Sequence, residues 1–261
     1  MVMALQKLSN NRIRAVIFDF DGVIVDSKKS IFETYKEVCK EMGIKFYSSL
    51  REFLKNNDGN YLHFYVRLGI KKKDFAKIGR LYRKHYKKFE NHVFLFDGIK
   101  ETFKALKKFG FKIGVCSNTR SYVVNYFLRK FGLKKYTDVV VCGNDVKRLK
   151  PNPLMIIRAA KEMGVKLKET AFVGDMEADM IAGKRAKVAK LIAVTYGYHP
   201  KRRLEKFDPD SFASNPKQIL NIVLSDGNEV KLTATSGITD NICDLTRSAS
   251  VVYFNLENGT R

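Results

Sequence analysis

The sequence predicts an α/β fold, a doubly wound parallel sheet with a helical domain inserted after its first strand. Three observations predict it. From residue 99 onward, short apolar runs alternate with helical periods, the pattern of successive strand–helix units. Upstream, one apolar run at residues 15–20 stands apart, followed by residues 27–93, where helical periods recur and no convincing strand occurs. The apolar runs are followed by Asp, Gly, Ser or Asn, so polar groups collect past the carboxyl ends of the strands, where such sheets bind ligands.

Each element has its own justification. Residues 15–20, AVIFDF, run into Asp21 and Gly22 and read as a buried strand closed by a turn. Residues 27–42 place Ile31, Tyr35, Val38 and Met42 on one side of a helix that Gly43 stops. Asn57-Asp58-Gly59 breaks the chain, and helical patterns resume at residues 61–68 and 73–89. After Asp97 and Gly98, a helix at 99–109 ends at Gly110. Then come a strand at 111–116, a helix at 121–131, a strand at 137–142 and a helix at 153–163 that Pro153 opens. A strand at 170–173, a helix at 177–186 and a strand at 190–195 follow. The α/β core is assigned to residues 1–26 and 94–224 and the helical domain to 27–93. Residues 225–261 form an extension whose segments 229–235 and 249–256 have strand character and whose structure the sequence leaves open.

Composition narrows the class. The 45% hydrophobic content suits a globular protein with a core, and no run of eighteen apolar residues suggests a membrane span. The N-terminus lacks the apolar block and cleavage site of a signal peptide. Cys39, Cys116, Cys142 and Cys243 are scattered without a CxxC pair, so zinc and disulfide frameworks are not expected and a reducing cytoplasm is. The net charge of +22 attracts anions, phosphorylated metabolites and nucleic acid among them. The basic residues are spread along the chain with no nucleic-acid-binding motif, so a lysine-rich solvated surface is the favoured reading and nucleic acid is not the expected partner.

Read in order, the strand ends give Asp19 and Asp21 in DFDG, Ser117 and Asn118 in CSNT, Lys150 in KPNP, and Asp175 and Asp179 in VGDMEAD. Singly these are ordinary turn and helix-start compositions; their joint placement past the strands of one alternating domain points to phosphoryl transfer. A phosphate monoester is a dianion, so a carboxylate nucleophile needs charge offset before it can approach. Mg²⁺ suits this task, and Asp19 and Asp175 supply its carboxylates. Lys150 adds a point charge on the transferring group, and the Ser117 hydroxyl with nearby backbone N–H groups holds phosphoryl oxygens. Asp19 attacks phosphorus to form an aspartyl-phosphate. Asp21 protonates the leaving oxygen and then takes a proton from water. Gly22 permits the tight turn after the pair. Asp179, four residues past Asp175 at a helix start, orients Lys150.

The runs FDFDGVIVDS (18–27), VCSNT (115–119), KPNP (150–153) and VGDMEAD (173–179) resemble the four motifs of the haloacid dehalogenase superfamily. The resemblance covers roughly residues 14–224. It implies a Rossmann-like core with an α-helical cap domain after the first strand, the subgroup of phosphoglycolate phosphatases and β-phosphoglucomutases. It further implies that Asp21 gives its backbone carbonyl to the metal, that Ser117 and Asn118 bind phosphate, and that Gly174 supports Asp175. The second Asp of the first motif, Asp21, favours phosphate esters over halogenated substrates. Met176 stands where many relatives carry Ser or Thr, and Asp97 replaces a frequent proline. Asn56, Asn57, Asn60 and Arg67 are the candidates for substrate contact in the cap, weighed against ordinary loop roles. The expected function is a Mg²⁺-dependent phosphatase of a small phosphorylated metabolite. The alternatives are a phosphomutase on the same site or a basic, nucleic-acid-associated protein that kept the fold.

Overall fold

The computed structural model describes residues 13–225. The expected strands at 229–235 and 249–256, and Cys243, lie outside the described residues. In chain order the elements are β1 (Ala15–Phe18), β2 (Val25–Asp26), α1 (Lys28–Glu41), α2 (Leu50–Asn56), α3 (Tyr61–Arg67), α4 (Phe75–Phe89) and β3 (Phe94–Leu95). Then follow α5 (Ile99–Lys108), β4 (Lys112–Ser117), α6 (Ser121–Lys130), β5 (Val139–Cys142), α7 (Leu154–Glu162), β6 (Thr170–Gly174) and α8 (Glu177–Ala186). The last are β7 (Lys190–Val194), α9 (Lys201–Leu204), β8 (Ser211–Ala213) and α10 (Pro216–Ser225).

Six strands form one sheet in the order β5-β4-β1-β6-β7-β8, and every neighbouring pair is parallel. The predicted doubly wound sheet with an inserted helical block is therefore the observed fold. β1 explains why the sheet has helices on both sides. Its four residues are all buried, and they alternate: Val16 and Phe18 join one apolar cluster, Ala15 and Ile17 the other. On the first side Phe18 packs on Phe103 of α5 with ring centroids 4.8 Å apart. Both rings are fully buried, each contributing about 1.5–3 kcal/mol by removal from water. On the second side Met155, Ile156 and Ala159 of α7 and Met180 of α8 cover Ile17 and Phe172.

The register aligns the strand ends. Phe18 lies opposite Val115 of β4 and Val173 of β6, so Asp19, Ser117 and Asp175 emerge at nearly one level. The first strand is shorter than the sequence predicts. It stops at Phe18, because the N–H groups of Ile24 and Val25 both donate to the Phe20 carbonyl and fold the chain back.

Residues between β2 and β3 are helical, as expected, with α2 in addition. Ser49 accepts the Glu52 N–H at the start of α2, and Asn60 Oδ1 accepts the Leu62 N–H at the start of α3. This helical insert has its own apolar cluster, centred on Phe32, Tyr35, Phe53, Phe64 and Ile78. Its entry and exit are the antiparallel pair β2–β3, with Val25 opposite Leu95 and Asp26 opposite Phe94. Three elements near the C-terminal end of the sheet domain, α9, β8 and α10, were not anticipated. β8 is an edge strand of three residues, too short to show a period.

Candidate active site

Asp19 is the first residue past β1, and the residues predicted to join it do so. It is 5% exposed, Lys150 2%, Asp179 1% and Asp175 0%. Lys150 Nζ donates to Asp19 Oδ1 at 2.6 Å, to Asp179 Oδ1 at 2.7 Å and to the Cys116 carbonyl at 3.1 Å. All three ammonium protons therefore have acceptors, and the lysine stands between the two carboxylates. Asp179 Oδ2 accepts the N–H groups of Asp175 and Met176 at 3.2 and 3.0 Å, which closes the start of α8 around it. Both Asp179 oxygens are thus engaged, one by Lys150 and the other by the start of α8.

Asp21 sits in a collar of hydroxyls. Ser27 Oγ donates to Oδ1 and Thr119 Oγ1 to Oδ2, each at 2.6 Å, and Ser117 Oγ lies 3.5 Å from Oδ2. Tyr198 Oη is 3.0 Å from Ser27 Oγ and extends the chain of hydroxyls. Burial pushes the Asp21 carboxyl above its ordinary range, and the hydroxyls offset this only in part.

Asn118, implied as a phosphate binder, lines the cavity, and its side-chain amide is engaged by the protein. Its Oδ1 accepts the Lys150 N–H at 2.8 Å, and its Nδ2 donates to the carbonyls of Lys150 and Gly59 at 3.2 and 2.7 Å. The amide braces the Lys150 loop and a loop of the insert. Among the cap candidates, Asn57 lines the cavity over the site. Asn60 starts α3, Arg67 pairs with Asp58 at 3.1 Å, and Asn56 Nδ2 donates to Glu52 O. Met176 is buried with its sulfur against Gly59, where a Cβ would come within 2.9 Å of it.

Thr119, Ser27, Tyr198 and His199 are functional neighbours that the sequence reading did not assign. Thr119 was visible, being the last residue of CSNT. Tyr198 and His199 follow β7, a strand end that carries no acidic or Gly-rich signature. The Tyr198 N–H donates to Asp175 Oδ2 at 2.6 Å. His199 Nδ1 faces the Glu177 N–H at 3.2 Å, so Nδ1 accepts and Nε2–H donates to the Asn57 carbonyl at 2.9 Å.

The donor set fits a divalent cation. Asp19, Asp175 and Asp179 present ligand atoms within 4.8 Å of one another. Asp175 Oδ1 is fully buried and has no hydrogen-bond partner among the described residues. A carboxylate oxygen left so is costly unless something positive reaches it. Lys150 pairs with Asp19 and Asp179, so together with Asp175 the ionised set carries an excess negative charge that one such ion would offset. Space around Asp175 is kept by glycines: a Cβ on Gly22 or Gly197 would lie 2.1 or 2.3 Å from its Oδ2. Gly22 also has φ +88°, a conformation costly for other residues. Likewise a Cβ on Gly174 would strike Asp179 at 2.3 Å.

The electrostatics agree. Burial, with Asp179 and Asp21 adding to it, pushes Asp19 up to about 8 against the opposing pull of Lys150. Burial and the charges of Asp179 and Asp19 hold Asp175 well above the carboxylate range. Burial alone would lower Lys150, but Asp179 and Asp19 overcome it and keep the ammonium charged. A cation joining the site would favour the ionised form of these carboxyls.

The family model of haloacid dehalogenase-like hydrolases matches residues 16–194. The chain is 30% identical over 218 residues to a phosphoglycolate phosphatase of Aquifex aeolicus, covering 81% of this chain and 97% of that one. It is 27% identical over 212 residues to the pyrophosphatase PpaX of Oceanobacillus iheyensis, with the same coverage. Among solved structures, a subfamily IA hydrolase of Geobacter sulfurreducens superposes with TM-score 0.63 at 26% identity, over 80% of this chain and 99% of that one.

Proposed function

Because this chain belongs to the haloacid dehalogenase-like hydrolases, we propose that it hydrolyses a phosphate monoester of a small metabolite with Asp19 as the nucleophile. The observation that carries the reading is the buried Asp19–Lys150–Asp179 array beside a hydroxyl-bound Asp21. The names of the A. aeolicus and O. iheyensis relatives, a phosphoglycolate phosphatase and a pyrophosphatase, support hydrolytic removal of a phosphoryl group.

The residues divide the work as follows. Mg²⁺, held by Asp19, Asp175 and the Asp21 carbonyl, would supply charge neutralisation for the phosphate dianion. Lys150 keeps the Asp19 carboxylate fixed and contributes positive charge where the phosphoryl oxygens gather. An Asp19 oxygen attacks phosphorus as the bond to the leaving oxygen breaks, and Asp21 gives that oxygen its proton. Burial suits Asp21 to this, since it raises the fraction that carries a proton. In the second step Asp21 takes a proton from water, whose oxygen attacks phosphorus and releases Asp19 and inorganic phosphate. Ser117 steadies the N–H of Thr119 at 3.0 Å, and Thr119 in turn aims Asp21. We further assign residues 27–93 as a cap whose movement admits substrate and excludes water, and place the enzyme in the cytoplasm.

The test is phosphate release from a panel of phosphorylated metabolites by wild type and Asp19→Asn, with Mg²⁺ or with EDTA. We expect release that needs both Mg²⁺ and Asp19. Release by Asp19→Asn at the wild-type rate would remove the nucleophile assignment, and full activity in EDTA would remove the metal.

A further inference from the structure

We infer that the phosphate monoester taken by this site carries a planar apolar body, an aromatic ring or a comparable group, and not a polyol, a lone carboxylate or a second phosphate. The inference rests on the phosphatase reading above and names its substrate class. Over Asp19 lies a cavity of about 320 Å³ that runs up into the helical insert. At the liquid share of about 30 Å³ per water, it holds the equivalent of about ten waters, far more than a phosphoryl group needs.

The walls beyond the phosphate end are aromatic. Tyr35, Phe53, Phe64, Tyr65, Phe75 and Tyr82 line it. They are packed against one another: Tyr35 lies 4.8 Å from Phe64 and 5.0 Å from Tyr82 between ring centroids, and Tyr65 lies 5.3 Å from Phe75. Phe53 and Phe64, 1% and 2% exposed, back this wall from the core of the insert, so the faces offered to a flat guest are those of Phe75 and Tyr82 with the edges of Tyr35 and Tyr65. A polyol needs a dense set of amides and carboxylates. Among the described residues, the polar groups on the cavity wall outside the phosphate end are Asn57, Arg120 and the hydroxyls of the lining tyrosines, with no carboxylate among them. Asn57 Oδ1 is already taken by the Gly59 N–H at 3.0 Å. A small carboxylate or a second phosphate would leave most of this surface against water.

The opening has room as well. A Cβ on Gly79 of α4 meets only Arg120 Nη2, at 3.9 Å. Ala76, one turn earlier on α4, is exposed at the rim of the same cavity.

Two alkyl esters of similar leaving-group acidity separate body recognition from chemistry: 2-phenylethyl phosphate and ethyl phosphate. Calorimetric binding of each to Asp19→Asn with Mg²⁺ reads the cavity without turnover, and kcat/KM of the wild type reads the reaction. We expect 2-phenylethyl phosphate to bind roughly tenfold tighter or more, the return on burying one ring. Gly79→Leu, which fills the cavity, should bring the binding ratio toward one, and Ala76→Leu serves as an independent filling variant. Equal binding of the two esters, or tighter binding of ethyl phosphate, overturns the inference. A ratio untouched by both filling variants overturns it too, because the ring would then sit elsewhere. If neither ester is hydrolysed while the binding ratio holds, the phosphatase reading fails and the recognition of the apolar body stands.

Discussion

At the scale of single residues, the site is a set of charges that stand only together. Lys150→Met leaves Asp19 and Asp179 buried without their shared ammonium. Loss of one partner from a buried ion pair costs about 3–5 kcal/mol. We expect that loss in urea unfolding of the metal-free protein, with part of it restored by Mg²⁺. Gly22→Ala should be as damaging, since its Cβ would fall 2.1 Å from Asp175 Oδ2 at a positive φ; phosphate release and unfolding midpoint should drop together. His199 provides a pH signature. Burial holds its imidazole below the ordinary range, so the fold favours the neutral ring. The unfolded state then binds a proton first as pH falls below about 6.5, and the stability His199 contributes, full above that pH, is lost as pH falls through the lowered folded value. The raised carboxyls of Asp19 and Asp175 act in the opposite sense, so the reading is the difference in urea midpoint between wild type and His199→Gln, which should fall from pH 7.5 to pH 5. Asp19, Asp21, Ser117, Lys150, Asp175 and Asp179 were legible in the sequence because each follows a strand or opens a helix. Tyr198 and His199 were not, because Tyr198 meets Ser27 across 171 residues and His199 meets Asn57 across 142. Only the folded register brings such pairs together.

At the scale of elements, the loop between α2 and α3 is where insert and sheet domain are fastened. Arg203 Nη1 donates to the Lys55 carbonyl at 3.2 Å, His199 Nε2 to that of Asn57 at 2.9 Å, and Asn118 Nδ2 to that of Gly59 at 2.7 Å. Alternate residues of one short stretch are thus gripped by three side chains of the other layer. Arg203 is itself steadied by Glu177, with bonds of 2.9 and 2.7 Å. Removing one such bond is worth about 1 kcal/mol, or about fivefold in an opening equilibrium. Arg203→Ala should therefore speed hydrogen exchange of residues 55–60 by about that factor, measured by mass spectrometry, while exchange in β1 and β6 stays unchanged. The long helices and inner strands were readable from periodicity and apolar runs. β2, β3 and β8, of two or three residues each, carry no period to read, and α2 was obscured by the polar residues around it.

At the scale of the whole molecule, charge is the dominant surface property. The net +22 of the full chain includes the basic helix α4, where Lys77, Arg80, Arg83, Lys84, Lys87 and Lys88 are exposed. That helix also supplies Phe75, Gly79 and Tyr82 to the cavity, so the positive field lies beside the entrance. An anionic substrate is drawn to such a field, and salt screens it over about 8–10 Å at physiological strength. We expect kcat/KM for a phosphorylated substrate to fall several-fold between low and high ionic strength, with kcat little changed; a flat profile would detach the charge from catalysis. One further consequence follows from the β2–β3 pair, in which Val25 faces Leu95 and Asp26 faces Phe94. The chain departs for the insert and returns from it side by side, like the two ends of a knotted cord. The strand order of the sheet is thus independent of how much polypeptide joins those ends. A two-residue hairpin turn could join Asp26 to Phe94 directly, and a lineage could lengthen, exchange or discard everything between them without rewriting a single strand of the parallel sheet.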